Sequence, residues 1–211
     1  VYKRQVVRSG LESVEKCSNE EERNHFLHLM SEETVHMKRL IDDMLLLANS
    51  DADTLTIKPE ACQPDLLLLD TYEKFEPLAK KNGLHLILTL PEEILPDCFC
   101  DIHRTEQIFS IIVDNALCYT PSGGKVTLSC HAENEMLCFL FKDTGCGISE
   151  EKKSHIFERF YRADDAHTDR EHFGLGLCIA KELTEKQNGN IQVVDAPISG
   201  SCFMVQLPCA L

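Results

Sequence analysis

The chain has 211 residues, of which 43% are hydrophobic and 27% charged, enough for one ordinary domain with a smaller element or for two small domains with a buried core. Its 35 acidic residues outnumber its 21 basic residues, and the net charge of −14 argues against nucleic acid as a partner, because phosphates require an excess of Lys and Arg. No apolar run approaches the roughly 20 residues of a membrane span, and no secretory signal begins the chain.

Residues 6–50 are predicted to form two helices. Val6, Val7, Leu11 and Val14 lie on one face of the first, and the second begins at a capping box formed by Ser18 and Glu21. Apolar residues then step by three and four, as in a coiled-coil seam, at Leu27, Met30, Met37, Ile41, Met44 and Ala48. Because a two-helix hairpin buries little apolar surface alone, we expect a homodimer in which two hairpins form a four-helix bundle.

The remainder of the chain alternates between strand and helix patterns. Residues 51–62 form a linker or first strand, and a helix over 64–83 ends at Gly83. Strands are predicted at 84–90, 125–132, 136–143, 190–196 and 201–207, and helices at 103–120 and 175–188, with a tight turn at 133–135. The predicted fold class is α+β, with a helical hairpin followed by an α/β sandwich that has a mixed sheet and occupies 63–211.

Eleven cysteines are a high count, but the number is odd and no Cys-x-x-Cys pair occurs. The nearest pair, Cys98 and Cys100, is separated by one residue, which is a poor chelate for zinc. Most of the others alternate with apolar residues, namely Cys130, Cys138, Cys178 and Cys202. We interpret them as reduced core residues of a cytosolic protein.

Three groups in the second half have side chains or backbone suited to a nucleotide. Asn115 and Tyr119 are one helical turn apart and therefore share a face. The loop 143–147 places an acid before two glycines, which allow the backbone to approach a ligand closely. Gly174 and Gly176 precede or open a helix, whose free amides attract an anion. A lone Gly-x-Gly is more often a loop than a site, so it is the order of the three groups that indicates nucleotide binding.

Four segments in this order resemble the N, G1, F and G2 boxes of sensor histidine kinases, which share an ATPase superfamily with gyrase, Hsp90 and MutL. They are 114-DNALCYTPSGG-124, 143-DTGCGI-148, 156-IFERFYRAD-164 and 174-GLGL-177. The helix at 18–48 is similar to the second helix of the family's dimerisation and phosphotransfer domain. The resemblance therefore extends over the whole chain.

The resemblance implies an ATP site with Mg²⁺. Asp143 would accept a hydrogen bond from the adenine amino group, Asn115 would bind Mg²⁺ through its side-chain oxygen, and Tyr119 would lie against adenine or ribose. Residues 149–173 would form the ATP lid. The other residues that the resemblance assigns to ATP binding are Gly145, Gly147, Ile148, Phe160, Arg162, Gly174, Leu175, Gly176 and Leu177, and Gly189 and Gly200 match later glycine positions.

The chain departs from the family pattern at several positions. Ile111 stands where many members have a second Asn and where hydrolytic members have a water-activating Glu, so ATP hydrolysis is not expected. Cys118 replaces a basic residue, which removes one phosphate contact, and residues 171–173 replace glycines, which would stiffen the lid. ATP binding is expected to persist in a weakened form.

None of the nine histidines is followed by Asp or Glu, as the family's phosphoacceptor would be. We interpret His25, His28 and His36 as helix residues that are solvated or lie at the edge of the apolar seam. The acceptor histidine, the sensor and any membrane anchor are expected upstream of this chain. Residues 1–5 fit an amphipathic helix poorly and are interpreted as a non-native scar. The expectation is a cytoplasmic catalytic portion of a kinase anchored in the plasma membrane, and no catalytic residue is assigned within the chain.

The implied function is transfer of the ATP γ-phosphoryl group to a histidine and then to an aspartate in the receiver domain of a response regulator. One alternative is a non-catalytic nucleotide-binding dimerisation module, which the substitutions at Ile111 and Cys118 favour. Another is an anti-sigma-factor-type serine kinase, which has a similar ATP fold but lacks the long helical hairpin.

Overall fold

The computed structural model describes Val14 and residues 19–162, 173–194 and 200–210. The described residues divide into a helical unit, which runs to Thr54 and also includes Phe173, and an α/β unit that begins at Leu55. Residues 1–5 and the predicted first helix lie outside the described residues, apart from Val14, which is helical. Within the described ranges, no helix is both long and apolar enough to cross a membrane.

Helix α1 spans Glu20–Asp51, and its first residue differs from the predicted one. The N-cap is Asn19, whose side-chain oxygen accepts a hydrogen bond from the Glu21 amide at 3.0 Å. The predicted capping box that begins at Ser18 is therefore wrong. Ser and Asn are almost equally good N-caps, because both have a short side chain that reaches the free amides, so the sequence offers two adjacent candidates.

Most apolar side chains of the predicted seam of α1 are exposed to solvent in the single chain. Met30 is buried, whereas Leu27, Ile41 and Met44 are 46%, 54% and 51% exposed. A stripe of exposed apolar side chains is what a helix that packs on a second copy presents. The homodimer itself remains a prediction.

The α/β unit contains seven strands and four helices within the described residues. The strands are β1 (Glu60–Cys62), β2 (His85–Thr89), β3 (Cys98–Cys100), β4 (Lys125–Glu133), β5 (Met136–Asp143), β6 (Asn190–Val194) and β7 (Cys202–Pro208). The helices are α2 (Pro64–Lys81), α3 (Ile102–Tyr119), α4 (Glu150–Lys153) and α5 (Gly176–Glu185). Gly83 follows α2 with a φ of +70°, as the predicted helix end requires.

Five strands form one sheet in the order β2-β4-β5-β7-β6. Strands β2 and β4 are parallel and the other neighbours antiparallel, which confirms the predicted mixed sheet. Strands β1 and β3 form a separate antiparallel pair. Strand β1 occupies the last three residues of 51–62, whose assignment as a linker or first strand stays a prediction, and β3 was not predicted.

The turn between β4 and β5 is shorter than predicted. Glu133 still pairs with Met136, so the loop consists of Asn134 and Glu135. Both have positive φ, 50° and 63°, which a two-residue type I′ hairpin requires. Asn adopts a positive φ more readily than most residues. At Glu135 the positive φ is favoured because a type I′ turn matches the right-handed twist of the two strands.

Helices α2, α3 and α5 pack on the large sheet and on one another. At the centre, the Phe109 ring of α3 lies 4.8 Å and 4.9 Å, between centroids, from Phe139 and Phe141 of β5. All three side chains are fully buried. This aromatic cluster fixes α3 against the sheet, and α3 contains Asn115 and Tyr119 of the candidate site.

Replacement of Phe109 by Ala removes this cluster's central ring and leaves a cavity, so we expect the free energy of unfolding to fall by about 3–5 kcal/mol. Phe99→Ala is the matched control because that ring is 44% exposed, and its loss should be under about 1 kcal/mol. Urea denaturation followed by circular dichroism measures both. Equal losses would contradict the packing described.

Candidate nucleotide-binding site

The carboxylate of Asp143 is fixed at the end of β5. Its Oδ1 atom accepts hydrogen bonds from the backbone N–H groups of Gly145 at 2.7 Å and Ser201 at 3.1 Å. The residue is 4% exposed. Burial raises the pKa of the Asp143 carboxyl, and the two backbone hydrogen bonds act in the opposite direction by favouring the ionised form. The result is a rigid hydrogen-bond acceptor beside a glycine-containing loop.

Glycines surround this carboxylate because there is no space for side chains. A Cβ atom on Gly200 would lie 2.0 Å from the carbonyl oxygen of Asp143, and one on Gly145 would lie 2.4 Å from that of Tyr119. Gly147 has a φ of +76° and also packs against Gly200. The loop after β5 is thus packed directly on the end of α3 and on the segment that leads into β7.

Helix α3 contains two of the predicted site residues, Asn115 and Tyr119. The Asn115 side chain is half-buried, and its Nδ2 donates to the carbonyl oxygen of Ile111 at 3.0 Å. The side-chain oxygen is therefore the atom available to a ligand, and amide oxygen is a ligand that Mg²⁺ accepts. Tyr119, one turn later, is 48% exposed. Asn115 fits the predicted metal-binding role by its orientation as well as by its type.

The start of α5 lies against the same helix. Gly176 is so close to Ile111 that a Cβ atom there would be 3.1 Å from the Ile111 Cγ2 atom. No side chain caps the first amides of α5. Free amides at a helix N-terminus attract phosphate, and the residues that supply them are Gly176 and Leu177. Leu175 is 1% exposed, so its side chain belongs to the core and only its backbone faces this region.

The middle of the predicted lid, residues 149–173, is bonded to the residue that follows the lid. The Phe160 amide donates to the carbonyl oxygen of Gly174 at 2.9 Å. Phe160 has a φ of +64° and is 60% exposed, and Gly174 has a φ of +72°. Arg162 is also exposed. Residues 171 and 172, two of the three that replace family glycines, lie outside the described residues.

Two polar residues at the site were missed from the sequence. Ser201 supplies an amide to Asp143, and the Thr144 hydroxyl accepts from the Lys125 amide at 2.9 Å, which joins the loop after β5 to the start of β4. Ile148 lines a small open cavity with Gly200 and Ser201. Ser201 contributes its backbone amide, so its residue type gave no signal from which the sequence could identify it.

The structure therefore brings the three predicted groups together along one helix. Residues 111–119 of α3 contact the start of α5 through Ile111 and the loop after β5 through the Tyr119 carbonyl, with Asn115 between them. An acceptor for a base, an amide oxygen for a metal ion and free helix amides for phosphates are consistent with one nucleotide.

A family described as histidine kinase-, DNA gyrase B- and HSP90-like ATPases matches residues 100–211. The adaptive-response sensory kinase SasA of Rippkaea orientalis is 34% identical over 173 residues, which are 82% of this chain and 44% of that protein. The chain thus spans less than half the length of this curated relative.

Two solved structures have a similar fold. Full-length ShkA in complex with AMPPNP has a TM-score of 0.79 and 25% identity, and the match covers 95% of this chain and 42% of that one. The histidine kinase ThkA in complex with the response regulator protein TrrA has a TM-score of 0.76 and 17% identity, over 99% of this chain and 58% of that one. The second shows the fold alone.

The contact at Gly200 predicts that Gly200→Ala lowers both stability and nucleotide affinity, because the new Cβ atom would force the Asp143 carbonyl and carboxylate to move. Gly123→Ala is a matched control, since Gly123 also has a positive φ, +84°, but nothing lies within 4 Å of a Cβ atom there. We expect the control to lose about 1 kcal/mol of unfolding free energy from backbone strain alone, and Gly200→Ala to lose at least 1–3 kcal/mol more. Urea denaturation and titration with a fluorescent ATP analogue measure the two effects. Similar behaviour of the two variants would contradict the close contact.

Proposed function

The chain belongs to the family of histidine kinase-, DNA gyrase B- and HSP90-like ATPases, and we propose that it binds ATP for transfer of the γ-phosphoryl group to a protein histidine. Within this family it is the ATP-binding catalytic portion of a sensor histidine kinase. The observation that most supports the proposed activity is that three groups lie beside α3. They are the fixed carboxylate of Asp143, the side-chain oxygen of Asn115 and the free amides at the start of α5. Residues 63–211 are the proposed ATP-binding domain.

Asp143 is the proposed adenine acceptor. Its buried carboxylate has no freedom to rotate, because Oδ1 is held by the Gly145 and Ser201 amides. A fixed acceptor selects a base with an amino group at the matching position, as adenine has. Tyr119 and Ile148 border the same region and would contact the flat faces of the base or the ribose.

The proposed metal ligand is the Asn115 side-chain oxygen. Mg²⁺ would neutralise phosphate charge and needs few protein ligands, since it retains water and binds phosphate oxygens. The amides of Gly176 and Leu177 would hold phosphate oxygens from the other side. Phe160 and Arg162, at the described end of the lid, would cover the nucleotide.

Transfer is favoured over hydrolysis by the side chain at position 111. Ile111 packs on Gly176 and has no group that can remove a proton from water. A water molecule near the phosphates would therefore lack a general base at this position. The nucleophile that receives the γ-phosphoryl group would be a histidine from another part of the kinase.

We propose that no histidine of α1 is the phosphoryl acceptor. His25 and His28 are exposed, and the Nε2 atom of His28 lies 3.2 Å from Glu32 Oε1, one turn later rather than at the next residue. The proposed partners are a second copy through helices 6–50 and the receiver domain of a response regulator. The complex of ThkA with TrrA is the precedent for the latter.

A non-catalytic nucleotide-binding module is the second candidate. The observation that favours it is Cys118, an exposed residue where the family's usual cation is absent. Such a module would bind ATP without transferring phosphate. The two candidates share the nucleotide site and differ in the fate of the γ-phosphoryl group.

Two substitutions should separate the base site from the metal site. Asp143→Asn should weaken ATP binding at least tenfold both with and without Mg²⁺, because the fixed acceptor is lost. Asn115→Ala should leave the affinity measured in chelator nearly unchanged and abolish the increase that Mg²⁺ produces. Isothermal titration calorimetry with a non-hydrolysable ATP analogue measures both, and Asn190→Ala on β6 is a control for a remote amide. The role of Asn115 is wrong if Mg²⁺ still strengthens binding to its variant.

Incubation with γ-labelled ATP and Mg²⁺ should give no acid-labile phosphohistidine on His25, His28 or His36, and no release of inorganic phosphate above background. Addition of a separate helical hairpin with a histidine-kinase acceptor motif should then produce label on that hairpin. Label on any of the three α1 histidines would contradict the proposed division of roles. Binding without transfer to the hairpin would favour the non-catalytic module.

A further inference from the structure

Three cysteines that are remote in sequence come together beside the small sheet. Strands β1 and β3 pair so that Cys62 lies directly opposite Cys98, and Cys100 is two residues further along β3 on the same face. The sulfur atoms of Cys62 and Cys100 are 3.5 Å apart, and those of all three cysteines lie within 4.8 Å of one another. The pairing of β1 with β3, and not the Cys-x-Cys spacing alone, produces this cluster.

The distances match a metal chelate better than a covalent bridge. Two sulfurs that bind one tetrahedral zinc ion at about 2.3 Å are about 3.8 Å from each other. The observed 3.5 Å and the upper limit of 4.8 Å bracket that value. A disulfide would require about 2.05 Å, and the cysteines are free thiols in the structure. Small shifts of side chains would therefore suffice to bind an ion.

The surroundings of the cluster are those of a built site. Cys98 and Cys100 are fully buried, whereas Cys62 is half-buried and provides access from solvent. The Asp101 side chain follows Cys100 and accepts hydrogen bonds from the Lys58 amide at 2.9 Å and the Arg104 amide at 3.1 Å. These bonds hold the segment before β1, the end of β3 and the start of α3 together. The sulfurs are thus held by backbone that is itself fixed.

We propose that Cys62, Cys98 and Cys100 bind one thiophilic d¹⁰ cation, with Zn²⁺ as the ion that best fits the sulfur spacing. Three thiolates leave a fourth coordination position for water on the half-exposed side of Cys62. Each thiol releases its proton to solvent as its sulfur binds the ion, and no oxidant is involved. The site is distinct from the nucleotide site, since the cluster precedes α3 whereas Asn115 and Tyr119 lie in its later turns.

An ion bound to the three cysteines would link strands β1 and β3, which pair through only three residues each. Strand β1 follows the segment that leads from the helical unit, and β3 leads directly into the helix that contains Asn115. An ion that binds only the folded chain raises the free energy of unfolding by RT ln(1 + [ion]/Kd). Metal availability would therefore change how firmly the connecting segment is held to the ATP-binding domain.

The test uses the whole chain, reduced and kept without oxygen, with Co²⁺ as a spectroscopic substitute and Zn²⁺ as the competitor. We expect one Co²⁺ per chain with thiolate-to-cobalt charge-transfer absorption, displacement by Zn²⁺, and a higher melting temperature with Zn²⁺. Cys62→Ser should weaken binding at least about tenfold, whereas Cys130→Ser, a buried cysteine on β4, should change it less than twofold. Circular dichroism confirms that each variant is folded.

Three results would overturn the proposal. The first is the absence of charge-transfer absorption from the folded chain. The second is equal weakening in the Cys62→Ser and Cys130→Ser variants. The third is binding that is lost on His131→Ala, because His131, Glu133 and Cys138 form another group of possible ligands in the described part of the chain.

Discussion

The site depends on one buried carboxylate held by backbone amides from two distant segments. Asp143 ends β5, and the amides of Gly145 and Ser201 reach the same oxygen from the following loop and from the start of β7. Such an arrangement requires close contact between backbones, which is why the neighbouring positions are glycine. Burial alone would favour the neutral acid, and the two hydrogen bonds favour the ionised acceptor that the proposed base recognition requires.

The second constraint is the position of α3. The Phe109 ring anchors the helix on the sheet, while the opposite side presents Ile111, Asn115 and the Tyr119 carbonyl to the other parts of the site. One helix would therefore set the spacing between the proposed base, metal and phosphate positions. The side chain of Ile111, on the same side of α3 as Asn115, has no group that can accept a proton from water.

Much of this could be predicted from the sequence, because helices and strands with clear periodicity and the ordered glycine-containing segments are local signals. The errors arose where local signals are ambiguous or absent. Ser18 and Asn19 are both good caps, and only the surrounding chain decides between them. Strand β3 is three residues long, and its cysteines appeared to be an isolated pair until pairing with β1 placed Cys62 beside them. The amide of Ser201 belongs to the site through its backbone, which residue type does not reveal.

The contact between Ile111 and Gly176 sets how closely two helices approach. The two residues lie on different helices, and the absence of a side chain at 176 leaves room for the branched side chain at 111. A methyl group at 176 would lie 3.1 Å from the Ile111 Cγ2 atom, so one of the two helices would have to move by a few tenths of an ångström. The glycine thus acts as a spacer whose small size keeps the first amides of α5 near the side of α3 that contains Asn115.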